Sequence, residues 1–278
     1  MKLSISHLTR YTYEEKVPLN THQLFLIPQQ RTYYRLFEAD WVIRPEPMGK
    51  SQRINAEGNP FFQVWFNAPT DFLEVELSFQ METYDFNPYG FIIAEHKYPF
   101  VQFEYRGSTG KFLKIYQDAE DLPHLKDFAL KLMSENQDIV SFLVALLTVI
   151  HKDWSHDLRY EPGLLEPMDT FENRRGSCRD LSWMLMQMLR NIGLATRFVS
   201  GYAFNPELHE GHELHGWVEV YLSGAGWVGI DPSLGLFADH NYIPLASSFH
   251  PTNTLPIAGT YGGTAKSEFF TDVKIKSL

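Results

Sequence analysis

The sequence of 278 residues contains a single cysteine, Cys178. One thiol cannot close an intramolecular disulfide, so a disulfide framework is excluded and a reducing, cytoplasmic setting is expected. Positive charge is also scarce, since 24 Lys and Arg stand against 34 Asp and Glu and leave a net charge of −10. Nucleic acid and anionic membrane both demand clustered cations, so neither is expected as the main partner. Long apolar runs are missing as well. The longest, residues 142–150, falls far short of the ~20 residues that span a bilayer. Residues 1–7 show no continuous apolar core of the kind a signal peptide needs.

What is present in the first 117 residues is short alternation. Leu3, Ile5 and His7 alternate with Ser4 and Ser6, and Leu73, Val75, Leu77 and Phe79 share one face. Pro18, Pro28, Pro45, Pro47, Pro60, Pro69 and Pro88 recur too often for a long helix between them. The pattern predicts an N-terminal antiparallel β-sandwich, with the boundary near residue 118 and a second domain over residues 119–278. His7, His22 and His96 stand alone and suggest no site.

Beyond residue 118 the period changes. Pro123 opens a helix through Leu125, Phe128, Ala129 and Leu132, and Asp138 is positioned to cap a second helix carrying Ile139, Phe142, Leu143, Leu146, Val149 and Ile150. Residues 152–173 read as an irregular aromatic segment suited to a pocket wall. Leu181, Met184, Leu185, Met188, Leu189 and Ile192 then mark the clearest helix, stopped at Gly193, with Cys178 in its first turn. Strands follow over residues 195–204, 215–222 and 227–230. Residues 233–263 are rich in turn formers, and 269–275 form a closing strand.

A cysteine attacks as thiolate, and a helix N-terminus favours that anion while presenting N–H groups to an oxyanion. His215 at the head of one strand is the candidate general base, and Asp231 at the end of the next is the candidate group to orient it. The spacing is compatible with this but also with a buried structural cysteine, and residue chemistry leaves both open. Asp180 reads as a first-turn acid favoured by the helix dipole. His209, His212 and His215 invite a metal reading. His212-Glu213-Leu214-His215 nevertheless lacks the spacing that puts two histidines on one helical face and runs into a strand pattern, so no metal and no cofactor are expected.

Four ordered blocks carry a family likeness: residues 176–180 (GSCRD), 192–202 (IGLATRFVSGY), 215–220 (HGWVEV) and 226–232 (GWVGIDP). Together they resemble the bacterial transglutaminase-like superfamily, whose Cys, His and Asp fall on Cys178, His215 and Asp231. The first half, around residues 57–60, resembles the β-rich region that precedes this core in one bacterial subgroup. The resemblance implies a papain-like α+β core with the cysteine at a helix start and His and Asp on adjacent antiparallel strands. It also implies acyl transfer on a peptide or protein amide through a thioester, as a cysteine protease or amidase or as a transglutaminase. The alternative is an inactive scaffold that binds protein or peptide. Trp154 and Tyr160 are candidates for a second oxyanion donor. Two departures stand out: Gly216 replaces the alanine usual after the histidine, and residues 247–252 replace an Arg-Asp-Tyr stretch.

Overall fold

The computed structural model describes residues 1–94, 97–159, 161, 163–206 and 213–278. Six strands come first: β1 (Lys2–Val17), β2 (His22–Leu24), β3 (Tyr34–Arg44), β4 (Gly49–Ile54), β5 (Pro60–Trp65) and β6 (Thr70–Thr83). Helix α1 (Gly107–Phe112), a 3-10 turn (Leu113–Gln117), α2 (Pro123–Ser134) and α3 (Ile139–Asp153) follow. Next come β7 (Ser155–His156), α4 (Pro167–Asn173), β8 (Arg175–Gly176) and α5 (Cys178–Asn191). The chain ends with β9 (Thr196–Ala203), β10 (Leu214–Leu222), β11 (Gly226–Asp231), β12 (Leu236–Phe237), β13 (Tyr242–Ser248), β14 (Ile257–Ala258) and β15 (Ser267–Ser277).

Three larger sheets are all antiparallel, with orders β15-β1-β6-β3, β14-β2-β5-β4 and β12-β11-β10-β9-β13. The alternation in the first strands is the alternation of burial: Leu3 and Ile5 are fully buried, as are Leu73, Val75 and Leu77. These side chains join Leu24, Val64, Ile257 and Val273 in one cluster fed by both N-terminal sheets. The closing strand, β15, pairs along its whole length with Leu3 to Tyr13 of β1, so the last residues complete the first sheet.

Regular strand stops at Thr83, earlier than the expected Gln117. Tyr98, Phe100, Phe103 and Tyr105 from the segment after it pack on the helical core instead. Phe103 also hydrogen-bonds the end of α5, its N–H donating to the Ile192 carbonyl at 2.7 Å. Residues 152–173 are more regular than expected, because α3 runs through Asp153 and Pro167 starts α4 in a position where its missing N–H costs nothing.

The five-stranded sheet lies between two cores. On one face Phe198, Val218, Val220, Val228 and Ile230 pack with α2, α3 and α5. Leu181, Met184, Leu185, Met188 and Leu189 of α5, and Ile192 just past its end, are all buried here, each contributing roughly 1.5–3 kcal/mol relative to an exposed position. Tyr202, Ile243 and Leu245 enter the core of the N-terminal sheets instead. Strand β13 was hidden by Pro244. It is an edge strand, where a proline is tolerated, and a register irregularity follows between Pro244 and Ala246.

One buried side chain ties the two halves together. Asn59, wholly buried, accepts at Oδ1 from Gln29 Nε2 (2.6 Å) and the Ser247 N–H (2.8 Å), and donates from Nδ2 to the Ser247 carbonyl (2.8 Å). Nearby Glu57 accepts the Phe249 N–H at 3.0 Å. Residues 247–249, part of the stretch that departs from the family pattern, are thus held through their backbone. Asn59→Ala leaves several buried polar groups without partners and is expected to lower stability by ~2–4 kcal/mol in urea unfolding; a loss under ~0.5 kcal/mol would show that this tie is dispensable.

Candidate active site

The loop before Cys178 is built to set the start of α5. Arg174 takes a left-handed conformation (φ 51°) at the end of α4, its guanidinium over the Trp154 ring, and turns the chain into β8. Ser177 then caps α5. Its N–H (2.9 Å) and its hydroxyl (2.6 Å) both donate to Asp180 Oδ2. Asp180 is fully buried and also accepts the Leu165 N–H (2.9 Å) and Arg159 Nη1 (2.8 and 2.7 Å). Burial opposes its ionisation, yet the Leu165 N–H, Ser177 and Arg159 outweigh it and hold the carboxyl below the usual range. The residue read as a helix-dipole acid is therefore an anchor that fastens the preceding loop to the helix.

The three expected residues come together. Cys178 is the first residue of α5 and half-buried. His215, one residue into β10, and Asp231, the last of β11, lie at the same edge of the sheet because the two strands form a hairpin. His215 Nε2 is 2.7 Å from Asp231 Oδ2. Asp231 is wholly buried and fully engaged: Oδ2 also accepts the Tyr242 hydroxyl (2.8 Å), and Oδ1 accepts the N–H groups of Ser233 (2.8 Å) and Leu234 (3.2 Å). Its pKa is lowered, because the His215 charge and these donors overcome burial. An ionised carboxylate only accepts, so Nε2 carries a proton and Nδ1 is the nitrogen left to face the Cys178 sulfur.

The sulfur has three donors around it: His156, His215 and the Gly216 N–H. Burial raises its pKa, but these hydrogen bonds and the His215 charge more than reverse that and bring it from 9.0 to about 6. His215 moves the opposite way. Burial lowers it, while Asp231 and Cys178 together raise it well above 6.5. The resting pair is therefore thiolate and imidazolium.

Sequence comparison agrees with this architecture. Residues 3–82 match the bacterial transglutaminase-like N-terminal region, and residues 126–232 match the transglutaminase-like superfamily core. The chain belongs to the transglutaminase-like superfamily. An uncharacterized protein of Mycobacterium leprae is 23% identical over 293 residues, covering 100% of this chain and 99% of that protein. One from Mycobacterium tuberculosis is 21% identical over 269 residues, covering 92% of this chain and 86% of the other. A solved structure from Cytophaga hutchinsonii, described as a candidate cysteine protease, superposes with a TM-score of 0.74 at 16% identity over 100% of this chain and 91% of that one. That likeness is one of fold.

Within this transglutaminase-like core, Trp154 does not reach the thiol as an oxyanion donor. It is buried against Phe128 and Phe171, and its Nε1–H is committed to the Thr170 carbonyl at 3.1 Å. Tyr160, His209, His212 and the isolated His96 lie outside the described residues. Among the described residues no group of three or more His, Cys, Asp or Glu is arranged to hold a metal ion. His7 is buried and bonded to Tyr202, Thr9 and Thr271, and His22 to the Asn20 carbonyl. The residue that sequence reading missed is His156, whose ring reaches the Cys178 sulfur. The only trace in the sequence was a histidine within the aromatic segment taken for a pocket wall.

Gly216 has a physical reason to lack a side chain. A Cβ there would come within 2.6 Å of the Phe198 ring, which fills the space an alanine methyl would occupy. Gly216→Ala is expected to cost ~1–3 kcal/mol by thermal unfolding, and Phe198→Leu in the same chain to recover part of it; additive losses would show that the two do not share this space. The charge pattern has its own consequence. Alkylation by iodoacetamide should rise with pH through a midpoint near 6 instead of 9.0, because only the thiolate reacts. His215→Ala should shift that midpoint upward. An unshifted midpoint would contradict the assigned pairing.

Proposed function

We propose that the protein is a cysteine hydrolase or acyltransferase acting on an amide bond of a peptide or protein, with Cys178 as nucleophile, His215 as general acid and base, and Asp231 as the group that orients His215. The observation that carries this reading is the unbroken line from the Cys178 sulfur through His215 to Asp231, in which Nε2 is held at 2.7 Å and Nδ1 is left for the thiol. The thiolate attacks the carbonyl carbon, a C–S bond forms, and the π electron pair moves to oxygen. When that pair returns the C–N bond breaks, and the departing nitrogen takes the proton from His215 Nδ1, leaving a thioester. Water or an amine then attacks the thioester while His215 accepts its proton, which gives hydrolysis or cross-linking. A cytoplasmic setting, which keeps the lone thiol reduced, belongs to the same proposal.

Intact-mass measurement after mixing with p-nitrophenyl acetate tests it directly. The native protein should carry one acetyl group, and Cys178→Ala none. Asp231→Asn should slow acylation on the order of 10²- to 10⁴-fold, because the imidazole loses its orientation and its countercharge. A thiol that reacts with iodoacetamide yet never acquires an acetyl group would remove the acyl-transfer reading and favour a binding scaffold.

A further inference from the structure

The acyl-transfer reading leaves one requirement open. The intermediate's oxyanion needs donors besides the Cys178 N–H, which has no acceptor inside α5 because it begins the helix. Trp154 is spent on Thr170. The Gly216 N–H also reaches the sulfur, but it follows His215 in the chain and so lies beside the base, where the leaving nitrogen must depart. The remaining donor on the sulfur is His156.

The position of His156 is fixed by backbone, independently of any charge. β7 pairs in parallel with β8, setting Ser155 opposite Arg175 and His156 opposite Gly176. The Ser155 N–H donates to the Arg174 carbonyl and the Asp157 N–H to the Gly176 carbonyl, both at 2.9 Å. Gly176 lies two residues before Cys178. The loop that follows is pinned to the same helix start by Arg159 and Leu165 on Asp180. His156 is exposed, unlike His215, and its ring has no carboxylate hydrogen-bond partner among the described residues. It is therefore poorly suited to shuttle a proton but well suited to present an N–H at the open mouth of the site.

We propose that His156 is a catalytic residue, its ring N–H joining the Cys178 N–H to hold the oxyanion of the tetrahedral intermediate; this rests on the acyl-transfer reading above. In the resting protein that N–H faces the thiolate. As the C–S bond forms, the sulfur becomes a neutral thioether and the negative charge appears on an oxygen two bonds away. The donor then follows the charge. His156 transfers no proton in this step: the electron pair that moved to oxygen returns to expel the nitrogen, which is protonated by His215. A group that strengthens its hydrogen bond only as charge develops on oxygen lowers the barrier without tightening substrate binding.

Two thiol reactions separate this role from simple support of the thiolate. Alkylation by iodoacetamide forms no oxyanion, whereas acylation by p-nitrophenyl acetate does. Both rates are measured on the full chain at a pH where alkylation has reached its plateau in every variant. His156→Phe should lower acylation by about 10²-fold while plateau alkylation stays within about twofold. His156→Gln, which keeps an N–H donor, should recover a substantial part of the acylation rate. If both reactions fall together, or if acylation is unchanged, His156 is not an oxyanion donor although the acyl-transfer reading stands. If the native protein is alkylated but never acylated, that reading fails first and takes this one with it.

Discussion

The buried carboxylate of Asp231 is the constraint from which the rest of the site follows. A charge with no exposure to solvent is tolerated only when its lone pairs are filled, and here four donors fill them: His215, Tyr242 and two backbone N–H groups. These donors come from three different pieces of the fold. His215 is supplied by β10, Tyr242 by β13, and the N–H groups by the turn after β11. Removing the carboxylate would leave an imidazole, a phenol and a turn without their common acceptor. The sheet order β12-β11-β10-β9-β13 is thus also the arrangement that keeps this one anion satisfied.

From that anion the charge pattern propagates outward in alternating sign. Asp231 stabilises the imidazolium of His215, and the imidazolium stabilises the thiolate of Cys178. The opposing force throughout is desolvation, which is the largest single influence on each of the three groups and disfavours every charge in the row. Pairing wins because the charges lie within hydrogen-bond distance in a place where water does not screen them. His156 departs from this scheme by being exposed. Its pKa is raised first by its hydrogen bond to Cys178, with burial and the His215 charge working against that.

Much of this could be read from residues, and the misses have a common cause. Cys178, His215 and Asp231 each border a regular element long enough to show its period, so pattern made them candidates, while their joint roles came from the resemblance carried by residues 176–232. β7 and β8 are two residues each, too short for any period, and the backbone bridge that brings His156 to Cys178 left no mark. Strand β13 is buried along its whole length, so it shows no alternation, and Pro244 disguised it as a turn. Asp180 was visible as a first-turn acid, but its work of fastening residues 159 and 165 depends on chain segments that only the fold brings together.

The β-rich half stands in a different relation to the site from that of an appended module. Strand β13 bears Tyr242 at one end, on Asp231, and Ser247 near the other, on Asn59. Past its end, the Phe249 N–H is held by Glu57 while the Phe249 carbonyl accepts Arg190 of α5. The same strand thus touches the N-terminal half, the helix that begins with Cys178, and the carboxylate hydrogen-bonded to His215. Ile243 and Leu245 of this strand pack in the core of the N-terminal sheets. A strand so clamped cannot shift without moving the Tyr242 hydroxyl, and packed interiors transmit such shifts instead of absorbing them. The turn at residues 57–60 therefore contributes to the geometry of the site through β13, although it touches none of Cys178, His215 and Asp231.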